Sequence, residues 1–230
     1  MTNTANERSQ EWCDERSDYL ATFMTEARCR TLAAALAART RYMTLLAENT
    51  FHPHNASALM RHCDAFGVQE MHTVEDRCRF SPNASIVRGT DKWIDVRRHA
   101  STAEALRTLR AEGYRLVATT PHRQSCTPET FDVAAGPFAL IFGTEHAGIS
   151  QEALAAADEY LRIPMCGLVE SLNVSASAAI LVCQLSQRVR RQVEGWPLTP
   201  DEAARLRLRW MTAAVRDARG LLARRFGGDA

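Results

Sequence analysis

IPMCGLVESLNVSASAAILVCQL, residues 163–185, joins a short extended piece, Ile163-Pro164-Met165, to an apolar helix through a polar bend. The bend carries Cys166-Gly167, Glu170, Ser171 and Asn173, and the helix opens on small residues from Ser175 to Ala179. Serine and asparagine with exposed backbone, placed just ahead of an apolar helix, point to a loop that meets a ligand or another chain.

Upstream of this stretch, strand and helix patterns alternate. The pattern predicts strands over 42–47 (YMTLLA), 68–74 (VQEMHTV), 93–96 (WIDV), 114–119 (YRLVAT), 138–142 (FALIF) and 160–163. FALIF is a continuous apolar run, which suits a strand covered on both faces. Between the strands, Asn55 or Ser57 is expected to cap a helix that Gly67 ends, with Ala58, Leu59, Cys63 and Phe66 facing inward. A second helix runs over 101–112, with a Ser/Thr cap and Glu104 in its first turn, and Ser150 opens a third over 150–157. Such alternation predicts an α/β domain with a mainly parallel sheet and helices on both faces. Its ligand crevice lies beyond the C-terminal strand ends. The loops expected there are HPHN, TPHRQ, GTEHAG and PMCGLVESLN.

The expected organisation is an N-terminal helical extension over 1–40, the α/β domain over 41–187 and a basic helical extension over 188–230. Residues 18–38 show helical spacing with Arg28 and Arg30 among the apolar positions. Thr199-Pro200-Asp201-Glu202 is a helix start with a cap, proline at the first position and acids at the positive end. From Arg188 onward there are ten arginines against five acids, although the whole chain has a formal net charge of only +1. Lys92 is the one lysine, so positive charge is almost wholly guanidinium, which suits paired bonds to phosphate.

The seven cysteines are scattered, with no C-x-x-C pair, so neither a zinc site nor a disulfide framework is indicated. No secretory signal and no 18-residue apolar run are seen, so a cytoplasmic protein with no membrane span is expected. A dinucleotide site would need G-x-G-x-x-G, and neither that nor a P-loop occurs. His52, His54, His62 and His72 lack metal-binding spacing, so no metal is predicted. Ser171 has no nucleophile elbow around it. Arg61, one turn or more into the helix after HPHN, offers a rigid fork for phosphate if it faces the crevice, and is a surface charge otherwise.

Taken together, HPHNASALMRHCDAFGV, FALIFGTEHAGIS and IPMCGLVESLNVSASAAILV resemble, in order and spacing, the three motifs of the SPOUT superfamily of S-adenosylmethionine-dependent RNA methyltransferases. The similarity is closer to its TrmH family, tRNA guanosine-18 2'-O-ribose methyltransferases, and covers roughly residues 30–190. The resemblance implies a deep C-terminal trefoil knot, a rare topology. It also implies a homodimer with its catalytic centre at the subunit interface, and tRNA as partner. S-adenosylmethionine would be held by Thr119, Gly143, Glu145, Gly148, Ile163, Met165, Ser171 and Leu172, and would leave as S-adenosylhomocysteine. Arg61, Asn55, Glu145, Ser171 and Asn173 would form the catalytic set. Where relatives have H-K-P-H-N, this chain has Phe51-His52-Pro53-His54-Asn55.

The implied reaction is methyl transfer to a ribose 2'-hydroxyl of tRNA, at guanosine 18. The alternatives are the same chemistry on ribosomal RNA or another tRNA nucleotide, and a non-catalytic RNA-binding homologue. A small-molecule oxidoreductase is disfavoured by the missing glycine fingerprint.

Overall fold

The computed structural model describes residues 9–50, 52–87, 89–121, 123, 125–144 and 147–227. Six parallel strands form one sheet: β1 (Met43–Glu48), β2 (Glu70–Val74), β3 (Asp95–His99), β4 (Arg115–Thr119), β5 (Phe138–Phe142) and β6 (Glu159–Leu161). Their order is β3-β2-β1-β5-β4-β6. The helices are α1 (Gln10–Ala21), α2 (Glu26–Ala37), α3 (Pro53–Ala65), α4 (Ala84–Val87), α5 (Thr102–Ala111), α6 (Gln151–Ala156), α7 (Val174–Gln192), α8 (Pro200–Ala214) and α9 (Ala218–Phe226). The chain divides into two compact units, one from Thr40 to Trp196 and one made of the segments on either side.

In the sheet unit, the two-residue period of the strands sorts side chains onto two cores. Met43, Leu45, Phe138, Leu140, Phe142 and Val117 face α3 and α7, packing on Leu59, Met60, Leu181 and Leu185. Leu46, Leu116, Ala118, Ala139 and Ile141 face the other way, onto Leu106 and Leu109 of α5 and Ala153 of α6. FALIF is buried at every position, as a strand covered on both faces must be. The α/β class and the parallel sheet thus agree with the sequence reading. Residues 125–137, which connect β4 to β5, lie against α7. There Arg188 donates to the carbonyl oxygens of Pro128 and Phe131 at 2.5 and 2.7 Å. The parallel order and the place of α7 beside that connection are consistent with the knotted architecture that the resemblance implies.

Several boundaries differ from the expectation. The helix after β1 begins at Pro53, so Asn55 and Ser57 lie inside it rather than capping it, and the N-cap is His52. Proline at the first helical position lacks the N–H that would have no partner there, and its fixed φ suits a helix start. Neither Asn55 nor Ser57 is needed at the end, and both become buried. The third and sixth strands sit further along or end earlier than expected, at Asp95–His99 and Glu159–Leu161. The last helix of the sheet unit runs from Val174 to Gln192.

In the other unit, the expected helix over 18–38 is two helices. Thr25 caps α2 through its hydroxyl, which accepts from the Arg28 N–H, and the Thr22 hydroxyl closes α1 onto the Tyr19 carbonyl. Helices α1 and α8 pack together around Cys13, Leu20, Trp210 and Met211, and Arg207 pairs with Asp18 at 2.6 Å. Thr199 and Glu202 form the reciprocal capping box at the start of α8. A left-handed Asp217, φ 53°, separates α8 from α9.

Candidate active site

All the loops that follow β1, β4, β5 and β6 emerge at the C-terminal strand ends, where a parallel sheet leaves its crevice. A cavity of about 680 Å³ opens there, walled by residues 119–121, 142–144, 147–149 and 171–174. A smaller pocket of about 60 Å³ shares Thr119, Ser171 and Leu172 with it and adds Ile163 and Met165. Of the residues expected to hold a donor, the structure therefore gathers Thr119, Gly143, Gly148, Ile163, Met165, Ser171 and Leu172 around adjoining walls. Glu145 lies outside the described residues.

The wall after β5 has no side chain at Gly143 or Gly148. A Cβ on Gly143 would stand 2.0 Å from the Gly148 carbonyl carbon, so the two arms of this loop touch main chain to main chain. The Thr144 N–H donates to the Gly148 carbonyl at 2.9 Å, and the Gly148 N–H returns a bond of 3.1 Å. Gly148 has φ 67°, which only glycine adopts without strain. The Thr144 hydroxyl accepts from the Ala147 N–H at 3.0 Å, closing the turn. Across the cavity, the Thr119 hydroxyl donates to the Ile141 carbonyl at 2.7 Å. Its side chain ties β4 to β5, leaving main-chain groups to meet a ligand.

Asn173 joins two motifs that are far apart in sequence. It is the N-cap of α7, with its Oδ1 accepting from the Ser175 N–H at 2.8 Å. Its amide nitrogen donates to Asn55 Oδ1 on α3 at 3.3 Å. His62, also on α3, reaches the Ser175 backbone as well. Burial lowers its pKa, the bond to Ser175 raises it in part, and the charge of Arg61 lowers it again, so the net shift is downward. Ser171 is exposed at the cavity and makes no described contact with Asn55 or Arg61.

Arg61 stands apart from the cavity wall on the exposed side of α3. Its guanidinium donates to the Ile86 carbonyl of α4 at 3.3 Å. Helix α4 is itself anchored on α3, since the Asn83 N–H donates to Ser57 Oγ at 2.7 Å and that hydroxyl donates to the Pro53 carbonyl at 2.6 Å. A guanidinium has five N–H donors, so one bond to Ile86 orients the group and leaves others for a phosphate. Arg123 also reaches the cavity, with its guanidinium 5.4 Å from the Tyr160 ring. The sequence does not single out Thr144 or Arg123, and it offers Ser57 only as a possible cap. Ser57 is the residue with a readable cue, standing four residues after Pro53 on the buried side of the helix.

On the opposite face of the sheet, polar residues on β2 and β3 come together. His72 lies between Glu70 Oε1, at 3.1 Å, and His99 Nε2, at 2.9 Å, and is fully buried. Burial pushes the Glu70 carboxyl up, but His72 and Arg41 outweigh it and hold the pKa at about 2. Burial and the neighbouring His72 lower that of His99. Glu70, His72 and Glu112 place their ligand atoms within 4.8 Å of one another. Arg97 lies on both carboxylates and Arg41 on Glu70, so guanidinium already supplies the positive charge a metal would bring.

The cavity's volume falls among those of small-molecule sites, roughly 300–1,000 Å³. The SpoU rRNA Methylase family matches residues 42–183, the span that holds every wall of the cavity. A tRNA (guanosine(18)-2'-O)-methyltransferase of Borreliella burgdorferi is 31% identical over 203 residues, covering 88% of this chain and 93% of that protein. Among solved structures, the A. aeolicus TrmH/SpoU tRNA modifying enzyme superposes with a TM-score of 0.72 at 27% identity, over 84% of this chain and 98% of that one. An AdoMet-bound rRNA methyltransferase of Sinorhizobium meliloti gives 0.58 at 25% identity, over 68% and 59%. Among the described residues, no helix is long and apolar enough to cross a membrane.

Proposed function

This chain belongs to the SpoU methylase family, and from that premise we propose that it is an S-adenosylmethionine-dependent tRNA 2'-O-ribose methyltransferase acting at guanosine 18. The observation that carries the proposal is the cavity between the Gly143–Gly148 turn and the start of α7, on the residues the family spans. Residues 119–121, 142–144, 147–149, 163, 165 and 171–172 hold the donor, chiefly through main-chain groups. Bound there, S-adenosylmethionine supplies an already activated methyl group and is left as S-adenosylhomocysteine. The protein's task is then to hold the ribose 2'-hydroxyl in line and to exclude water.

Asn173 and Asn55 fix the α7 loop on α3, and Arg61 fixes the ribose through its adjoining phosphate. A guanidinium does not give up its proton near neutral pH, so Arg61 positions and neutralises charge rather than acting as a base. Glu145, two residues after Gly143 in the sequence, completes the expected set. The arms before 40 and after 188 carry RNA contacts, the C-terminal one being richer in arginine. Two copies pair through the α7 loop, a reading supported by the full exposure of Leu168 and the 60% exposure of Val169. The enzyme works in the cytoplasm, where tRNA is its partner.

The test is incubation of the purified chain with tritiated S-adenosylmethionine and an unmodified tRNA transcript, followed by mass-spectrometric mapping. Methylation on the ribose of guanosine 18 is expected. A base-methylated product, or no incorporation into any tRNA, sinks the reading. Arg61→Ala abolishes turnover and leaves donor binding within about twofold, since Arg61 does not line the cavity.

A further inference from the structure

Glu48 ends β1 at the crevice, yet it does not line the cavity and is 2% exposed. Its carboxylate accepts three hydrogen bonds. Oε2 takes the Ser150 N–H at 2.9 Å, while Oε1 takes the Ser150 hydroxyl at 2.7 Å and the Thr102 hydroxyl at 2.7 Å. Three donors make burial of a carboxylate tolerable, and bonds to an ionised acceptor are stronger than neutral ones.

Two of the three go to one residue, and that residue has a special place. Ser150 follows the Gly143–Gly148 turn, caps α6 by accepting from the Ala153 N–H at 3.1 Å, and stands between Ile149 and Gln151 in the cavity wall. The loop enters from β5, which pairs with β1 through Ala47 and Phe142, one residue before Glu48 and Gly143. It is therefore fixed to the same strand end at both its entry and its exit. The turn between those points has no Cβ at Gly143 or Gly148 to hold it by packing.

We propose that Glu48 is a positioning residue for the methyl-donor pocket: its two hydrogen bonds to Ser150 set the height of the wall at residues 143–144 and 147–149 over the cavity. The proposal deepens the donor-pocket reading given above and rests on it. Thr102 supplies an internal control. It bonds the same carboxylate but belongs to α5, so losing it disturbs the fold around Glu48 without releasing Ser150.

The experiment is calorimetric titration of the full chain with S-adenosylhomocysteine, with hydrogen exchange of the ligand-free protein read at Thr144 and residues 147–150. Glu48→Gln keeps the shape but has one acceptor oxygen in place of two. It is expected to weaken binding roughly five- to tenfold, as loss of a charged acceptor from a buried donor does, and to speed exchange at those amides. Thr102→Val is expected to lower the unfolding temperature with unchanged affinity and unchanged loop exchange. Ser150→Ala removes one of the two bonds and shifts affinity in the same direction. The Glu48→Gln/Ser150→Ala pair is less than additive, because both act on one contact. Should Glu48→Gln not fold, Ser150→Ala against Thr102→Val carries the comparison. Wild-type protein that fails to bind S-adenosylhomocysteine overturns the pocket reading itself. Wild-type binding with unchanged affinity in the Ser150 and Glu48 variants, or an equal loss in Thr102→Val, overturns the role assigned to Glu48 alone.

Discussion

Replacing Asn173 separates two functions that meet in one side chain. Its Oδ1 caps α7 on the Ser175 N–H at 2.8 Å, and its amide bridges to Asn55 at 3.3 Å. An asparagine cap is worth about 1 kcal/mol over alanine. The bridge is long for an N–H···O bond, so it belongs at the low end of the net value of a neutral hydrogen bond, about 0.5 kcal/mol. Asn173→Ala should therefore cost about 1.5 kcal/mol, and the cap, not the bridge, is the larger share. Asn173→Ser keeps a capping oxygen but cannot reach Asn55, and should cost only about 0.5 kcal/mol. Urea unfolding followed by circular dichroism resolves the difference as a shift in midpoint at constant slope. Methyl transfer should fall in both variants, because both release the α7 loop from α3. A serine variant as unstable as the alanine one would refute the larger share given to the cap, and methyl transfer unchanged in both variants would refute Asn173 as the joint between the two motifs.

The remaining expectations concern the turn and the buried cluster. Gly143→Ala places a methyl 2.0 Å from the Gly148 carbonyl carbon, so the turn must open; S-adenosylhomocysteine binding should be lost with far-UV dichroism unchanged, and wild-type affinity would refute the close approach. Glu70, held at about 2 against an ordinary 4.5, stabilises the fold fully above pH 4.5, and that contribution, about 3 kcal/mol, disappears as pH falls towards 2. His99 is lowered, so its neutral form is favoured in the fold and its share is lost first, as pH drops below 6.5. Urea unfolding from pH 7 to pH 3 should show this acid limb, and Glu70→Gln should flatten its lower part; an unchanged limb would place its source outside the Glu70–His72–His99 cluster.

What the sequence makes legible here is what local physics decides. FALIF reads as a doubly covered strand because nothing in it needs water. Thr199 with Glu202 reads as a helix start because their reciprocal bonds span three residues, and Ser101 does so because its hydroxyl accepts from the Glu104 N–H while the Glu104 carboxylate accepts from the Ala100 N–H. The pairing of α1 with α8 has no such cue, since Asp18 and Arg207 meet across 189 positions. The start of α3 was misplaced because two good capping residues follow Pro53 and only the fold shows that both are buried. His72 was grouped with His52, His54 and His62 by closeness in sequence. The two-residue period of β2 would instead have put Glu70 and His72 on one face, and only the register of β3 adds His99. The knot and the identity of the donor came from resemblance to a family, not from periodicity.

The polar residues around the cavity share a direction that the sequence does not reveal. Thr119 is turned onto the Ile141 carbonyl, Thr144 onto the Ala147 N–H, Asn173 onto Ser175 and Asn55, and Glu48 onto Ser150. Each is a plausible ligand group by type, and each is used to hold main chain. The wall they hold is backbone at Gly143 and Gly148, and backbone cannot be replaced by substitution; it can only be displaced. Affinity for the donor is then governed by residues that do not touch it, and it follows that variants one layer back from the cavity, at positions such as 48 and 150, should weaken donor binding while changes at the exposed Ser171 hydroxyl do less.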